Sequence, residues 1–403
     1  MKINFYKALR AIGQATDLIS PALTSHHERT AFITHMISKS AGLPRSVCRR
    51  AFIAAMVHDI GGLNLQQRLL PLDYANDTEF SSHVINGAEL LKEIPYLNDI
   101  SDIVLHHHHE WNYGLSNYYN GKKIPVESSV VFLADRIDTL LAGVVSVDLL
   151  KASREIREVI AHDSDRRFEP SLVEAFLEVS SHEYFWLCLE AALKGKVMDY
   201  ESEISEELMT LTDFVYLSRL MAVVVDSHSS FTVEHSRRVA AVSKRIAHEA
   251  GLDDETCLMV ETAGYLHDIG KLAVPTKILD KPGRLTTEEM LHIRRHSYMT
   301  RQILKDIDGL GDIVDWAADH HERANGSGYP YGYGIEYLTS EGKIIALADV
   351  FVALTEDRPY RTGMDAFEAL KIVNSDFHAR DNIYASALEK LVINKEIQYH
   401  TCY

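Results

Sequence analysis

The sequence predicts an all-α protein of two tandem helical-bundle domains related by internal duplication, and three observations carry that prediction. Apolar residues recur mainly at helical spacing, and few stretches alternate with period two between turns, which argues against a large sheet. At 403 residues, 46% of them apolar, the chain is long enough for two or three domains and too apolar to be disordered. A set of polar landmarks occurs twice, in the same order.

The repeat is explicit. The segment AAMVHDIG ending at Gly61 reads like AGYLHDIG ending at Gly270, with His58 and His267 separated by 209 residues. The same offset pairs His26 with His235. His83 pairs with His296 at 213, His108-His109-Glu110 with His320-His321-Glu322 at 212, and Leu133-Ala134-Asp135 with Leu347-Ala348-Asp349 at 214. Offsets that drift so little indicate a duplicated domain, placed at residues 1–200 and 201–403.

Individual helices follow from local signals. Residues 197–225 are helical in pattern, with Glu201, Glu203, Glu206 and Glu207 on the polar side. They form either the junction between the halves or the first helix of the second domain. Residues 239–250 carry apolar side chains at helical spacing and end at Gly251. Thr286-Thr287-Glu288-Glu289 reads as a capping box that opens a helix bearing His292 and His296.

Charge narrows the function. Against 41 Lys and Arg stand 58 Asp and Glu, a formal charge of −17, so the chain lacks the basic face that polymeric nucleic acid requires. A small anionic ligand would need a few placed cations or metal ions. Residues 1–20 show no apolar core of a secretory signal. The most apolar stretch, 139–147, is closed off by Asp138 and Asp148, short of the roughly 20 residues a bilayer span needs. Cys48, Cys188, Cys257 and Cys402 are widely spaced, as in a reducing, cytoplasmic setting.

The 21 histidines supply the chemistry. In the second half His235, His267, Asp268, His296, His320, His321 and Asp349 offer five imidazoles and two carboxylates. That donor set suits Mn, Fe, Ni or Zn better than Ca or Mg. It exceeds the needs of one four-coordinate ion and fits two ions sharing a carboxylate. His267 and Asp268 would diverge by about 100° on a regular helix. Gly270 just beyond them places the pair at a helix end, which makes Asp268 the natural bridge.

These residues sit within a wider pattern. HDIGK from His267 to Lys271, then KILDKPGRLTTEE, HHERANGSGYP and LADVFVALTEDRPYR, resemble the HD-GYP family across residues 225–403. That family is a branch of the HD superfamily of metal-dependent phosphohydrolases. The resemblance implies hydrolysis of a 3′,5′-linked cyclic dinucleotide by two divalent transition-metal ions, Fe or Mn first, with Ni or Zn as further options. It also implies that the seven residues are the metal ligands, with Asp268 and Lys271 catalytic. Lys271, Arg358 and Arg361 would meet phosphate, Gly326 and Gly328 would let the loop approach substrate, and Tyr329 with Pro330 would border a base. Several positions depart from the family. Phe231 stands where an acidic residue accompanies a third metal, so a two-metal site is expected. Val352 replaces an aspartate, Ser297 a proline and Thr300 a glycine.

The first half resembles the HD superfamily alone. It keeps His26, His58, Asp59, His83, His108, His109 and Asp135. Gly62 replaces the lysine, Leu115-Ser116-Asn117-Tyr118 stands where GYP would, and no DRPYR-like segment follows Asp135. The resemblance implies a catalytically silent domain with a structural or regulatory role, its metal content left open. For the whole chain, a phosphodiesterase releasing a linear 5′-phosphorylated dinucleotide stands first, with removal of the 5′-phosphate as a further step. Cyclic GMP-AMP and cyclic di-GMP stay open as substrates, and a receptor without turnover is the alternative. No membrane partner is implied; apolar junction helices favour a homodimer whose interface the sequence does not fix.

Overall fold

The computed structural model describes residues 1–20, 23–63, 82–115, 117–142, 149–194, 204–229, 234–357, 362–376 and 383–397. Among them lie eighteen α-helices, and strands of only two or three residues. The all-α expectation holds. The chain divides into two compact units, Asn4–Leu208 and Met209–Tyr403, the latter with Met1–Ile3. Among the described residues no helix is long and apolar enough to cross a membrane.

In the first unit α1 (Phe5–Asp17) starts where the Asn4 side chain accepts from the Lys7 amide at 2.9 Å. Helix α2 (His26–Ser40) packs on α3 (Arg45–Val57), followed by α4 (Ser82–Lys92), α5 (Ser101–Leu105) and α6 (Val126–Ala142). Helices α7 (Leu149–His162), α8 (Pro170–Val179) and α9 (Glu183–Leu193) complete an aromatic core around Phe32, Phe132, Phe176, Phe185 and Trp186. Each such side chain contributes about 1.5–3 kcal/mol by leaving water.

The second unit repeats the plan. Helix α10 (Leu211–His228) leads into α11 (His235–Glu249), α12 (Asp254–Leu266), α13 (Thr276–Leu279) and α14 (Thr287–Leu304). Then come α15 (Ile313–Ala318), α16 (Gly342–Thr355), α17 (Ala366–Asp376) and α18 (Ile383–Ile393). Helix α11 buries Val239, Val242, Ser243 and Ile246, one face at three- and four-residue steps, against α12 and α16. It ends at Ala250, after which Gly251 adopts φ +83°, a left-handed stop that glycine takes without penalty. The expected capping box opens α14: the Glu289 amide donates to Thr286 Oγ1 at 3.2 Å, and the Thr286 amide donates to Glu289 at 2.7 Å.

The helix expected over 197–225 is shorter than the pattern suggested. Residues 195–203 lie outside the described set, 204–207 form a turn, and Leu208–Thr210 is extended. A second capping box, Thr210 with Asp213, starts α10 only at Leu211. Glu207 is held by Arg49 at 2.7 Å rather than lying on a solvated helix face. Of the two readings of this stretch, its helix is the first of the second unit.

Glycine at one repeated position sets the spacing of the elements. A Cβ on Gly270 would fall 2.0 Å from the His296 carbonyl oxygen and 2.7 Å from the Thr300 amide, so α14 lies directly on the turn after α12. Gly61 has the same relation to α4, with a Cβ 2.1 Å from the His83 oxygen and from the Gly87 amide. Both contacts are to backbone, which cannot rotate away. Gly270→Ala should therefore cost about 1–3 kcal/mol or more, seen as a lower Tm and lower denaturant midpoint. An unchanged midpoint would mean that α14 is not held by this contact.

Candidate metal centre

In the second unit five elements supply the side chains. His235 is the first residue of α11, after Glu234 in the left-handed region at φ +69°. His26 opens α2 in the same way, after Ser25 at φ +55°. Non-glycine residues held there cost energy, and in both units the turn aims the first histidine inward. His267 caps α12 and Asp268 leaves helical geometry at φ −100°, ψ 6°, so the pair stands at a helix end and converges on one centre. His296 comes from α14, His320 and His321 follow α15, and Asp349 lies in α16.

The backbone orients the rings. Nδ1 of His267, His296 and His320 donates to the carbonyl three residues earlier, on Gly264, Ile293 and Ala317, at 2.8, 2.6 and 2.8 Å. With the proton on Nδ1, each Nε2 is left as a lone pair facing inward. Two groups result: His235, His267 and Asp268, and His296, His320 and His321, each with donor atoms within 4.8 Å of one another. Asp268 serves both. Its Oδ2 lies 3.2 Å from His267 and 3.8 Å from His235, and its Oδ1 lies 3.5 Å from His296. Asp349 joins the first group, 3.2 Å from His235 Nε2.

The centre is buried and electrically unbalanced as protein alone. His267 Nε2 and Asp268 Oδ1 are buried without a hydrogen-bond partner, the signature of atoms meant for something else. Burial disfavours the charged form of His235, but hydrogen bonds to Asp349 and Glu356 and their negative charges outweigh it and lift its pKa to about 10. Burial drives His296 down to about 4 and His321 to about 3. For Asp268 burial favours the neutral acid, yet the neighbouring His267 and the Lys271 ammonium hold its carboxyl well below the usual range. Nitrogen-rich donors, a shared carboxylate and orphaned buried atoms fit first-row divalent ions.

Other expected residues divide. Lys271 reaches the centre, donating to Asp268 Oδ2, with its side chain 21% exposed. The Tyr329 ring lies on His321 at 4.7 Å and 31°, with the Arg294 guanidinium 5.2 Å from the Tyr329 ring centre. The Tyr329–Pro330 peptide is cis. Gly328 packs closely as well: a Cβ there would meet Glu322 Cα at 2.4 Å and the His321 oxygen at 2.6 Å, so its smallness lets the loop fold onto the His320-His321 stretch. Thr300, which replaces a glycine, ties α14 to the turn: it accepts from the Gly270 amide at 3.1 Å and donates to the His267 oxygen at 3.0 Å. Arg358, Arg361 and Phe231 lie outside the described residues.

Three carboxylates and one histidine escaped the sequence reading. Buried Glu322 grips the loop, accepting from the amides of Tyr331 at 2.7 Å and Tyr333 at 2.9 Å. Glu356 accepts from His235 Nδ1 at 2.9 Å, with Arg238 at 3.9 Å. In the first unit Asp138 does this work for His26 at 2.7 Å and is clasped by Arg29 at 2.5 and 2.8 Å. Asp138 lies three residues after Asp135, where the second half has Val352; the carboxylate has moved one helical turn on, to Glu356. Arg29 and Arg238, each three residues after the first histidine, were the available signal.

The fourth omission corrects the repeat. The histidines gathered in the first unit with Asp59 and His83 are His107 and His108, not His108 and His109. His107 Nδ1 donates to Val104 O at 2.6 Å, as His320 does to Ala317, which sets the offset here at 213. Glu110 had suggested 212, but it meets Arg167 at 2.8 Å on the surface and does not copy Glu322. The chain after the pair follows another course, Trp111 and Tyr113 amides donating to Arg167 and Asp165 at 2.9 and 2.7 Å. There is no GYP-like loop on this described stretch.

Fold and site together define a metal-dependent phosphohydrolase with two HD domains. The HD domain family matches residues 23–140 and again 219–380. The chain is 31% identical over 381 residues to 3′3′-cGAMP-specific phosphodiesterase 1 of Vibrio cholerae, covering 93% of this chain and 88% of that one. It belongs to the tandem-HD phosphodiesterase family that this relative represents. A cyclic di-GMP phosphodiesterase of Pseudomonas aeruginosa is 39% identical over 38% of this chain and 37% of its own. A solved cyclic GMP-AMP specific phosphodiesterase of Vibrio cholerae shares the fold over 97% of this chain and 98% of that one, with TM-score 0.65 and 22% identity.

The relocated carboxylate gives a direct test. Glu356→Ala should weaken metal affinity about 10–100-fold, read by competition with a chelator. Adding Val352→Asp, which restores the other unit's arrangement, should recover part of the loss. Unchanged affinity in Glu356→Ala would remove Glu356 from the support of His235.

Proposed function

We propose that the second unit carries hydrolysis and that its substrate is 3′3′-cyclic GMP-AMP, cleaved to a linear 5′-phosphorylated dinucleotide, with cyclic di-GMP the slower substrate. The observation that carries the assignment is Asp268, whose two oxygens are divided between two histidine groups while Lys271 stands beside it. The substrate choice is supported by coverage. Relatives similar over 93% and 79% of this chain bear the cyclic GMP-AMP name, while cyclic di-GMP phosphodiesterases of Pseudomonas aeruginosa, Thermotoga maritima and Vibrio cholerae align with 38%, 46% and 64%.

In this reading His235, His267, Asp268 and Asp349 hold one ion and His296, His320 and His321, with the other Asp268 oxygen, a second. Two such ions, Fe or Mn in first place, supply Lewis acidity and a water acidic enough to act as nucleophile near neutral pH. Lys271 exchanges its bond to Asp268 for a non-bridging phosphate oxygen and neutralises charge gathering there in the transition state. The water oxygen bonds to phosphorus, the bond to the 3′-oxygen breaks, and a proton returns to that oxygen. Tyr329, steadied by His321 and Arg294, borders a base, and Arg358 and Arg361 bind phosphate through their guanidinium forks. The same centre removes the terminal 5′-phosphate more slowly. The first unit, with Gly62 in place of the lysine, has a structural or regulatory role in a cytoplasmic enzyme.

Product chromatography after incubation of Mn- or Fe-loaded protein with each dinucleotide should show the linear 5′-phosphorylated product, faster from cyclic GMP-AMP. Asp268→Asn should abolish turnover and metal loading together. Metal-loaded protein that binds but never cleaves either ring would be a receptor instead. A pH dependence follows from His235. Its proton, held with a pKa of about 10 in ion-free protein, must leave before an ion enters, so affinity rises with pH. The metal concentration for half-maximal hydrolysis should fall about tenfold per pH unit from about 6 to 9. His296 and His321, neutral throughout that range, add no slope. A flat profile would contradict this assignment of the proton.

A further inference from the structure

We infer that the first unit holds a transition-metal centre of its own, closed to substrate, in which Asp59 joins His26 and His58 on one side to His83, His107 and His108 on the other. The argument rests on this unit's own side chains and stands apart from the proposed hydrolysis.

Asp59 Oδ2 lies 3.8 Å from Nε2 of both His26 and His58, and Asp59 Oδ1 lies 3.3 Å from His83 and 3.7 Å from His107. The division of one carboxylate between two imidazole groups repeats that of Asp268. Nδ1 of His58 donates to the Ala55 carbonyl at 2.9 Å and Nδ1 of His26 to Asp138 at 2.7 Å. Their Nε2 atoms face each other at 3.2 Å beside Asp59. Two nitrogens each about 2.1 Å from one ion lie about 3.0–3.4 Å apart, so the spacing fits a cation between them. Asp59 Oδ1 and His107 Nε2 are also buried with no hydrogen-bond partner, both aimed into the cluster.

The closure distinguishes this centre from the other. Every one of its ligands is buried, the most exposed being Asp59 at 4%, whereas His321 and Asp349 of the second unit are partly exposed. Structural metal sites are closed and catalytic ones keep an open position. Asp135 contributes one oxygen, 3.5 Å from His26, while buried Arg136 occupies the other at 2.5 Å. The corresponding neighbour of Asp349 is Val350. An internal arginine in place of a substrate-facing lysine leaves the centre no cation with which to receive phosphate. Its imidazole-rich donors select a first-row divalent ion over Mg or Ca.

The test uses the full chain with the second centre disabled by Asp268→Asn and His320→Ala, stripped with chelator and reloaded with Zn²⁺ alone. Stoichiometric zinc surviving gel filtration, with a Tm several degrees above the stripped protein, is expected. Adding Asp59→Asn should bring retained zinc to background. A folded double variant that elutes free of zinc, or zinc retention indifferent to Asp59→Asn, would overturn the proposal. Where the double variant fails to fold, the unmodified chain decides: retained zinc above the about two ions of one dinuclear centre supports it, and two or fewer overturns it.

Discussion

A histidine can bind a metal through one nitrogen only after the other has been settled, and here the main chain settles it. His267, His296 and His320 each spend Nδ1 on the carbonyl one helical turn back. The rings then cannot turn over, because a flipped imidazole would leave a buried carbonyl unsatisfied and push a proton into the centre. The rest follows from where those turns lie. Each is the end of a helix or a helix interior that can pack closely against its neighbours, and Gly270 permits the closest of these approaches.

Electrostatics gives the arrangement its purpose. The same pocket lifts one imidazole to about 10 and lowers two others to about 4 and 3, a spread produced by which rings touch carboxylates and which are merely buried. Asp268 and Asp349 stay ionised at a depth where an isolated carboxylate would take up a proton. Protein groups alone satisfy this charge pattern poorly, and divalent cations satisfy it well. On the proposed function, the acidic net charge of −17 is compatible with an anionic substrate for the same reason: attraction is needed only over a few ångströms, where ions and Lys271 would dominate.

The sequence shows the centre because its ligands are rare residue types in fixed order, and a duplicated order is hard to mistake. The seven second-half residues expected as ligands, the helix end at His267-Asp268 and the Thr286 capping box are all legible in it. What it hides depends on rotation about a helix. The slip between His107-His108 and His108-His109 is one residue, about 100° of turn, invisible when four histidines run together and Glu110 imitates Glu322. Glu356 was hidden because its partner lies 121 residues away and its usual position holds Val352. The packing of Gly328 on Glu322 was hidden because a close approach to substrate and a close approach to one's own backbone demand the same residue.

Glu322 joins two tasks that are usually described apart. It sits directly after the ligand pair, and its carboxylate fastens the amides of Tyr331 and Tyr333. The loop that presents Tyr329 thus hangs from the same short stretch of chain that offers His320 and His321. Any tilt of that stretch is transmitted to the aromatic rim, so under the proposed function metal loading and base contact share one lever. On that proposal, protein starved of its ions would lose selectivity as well as speed.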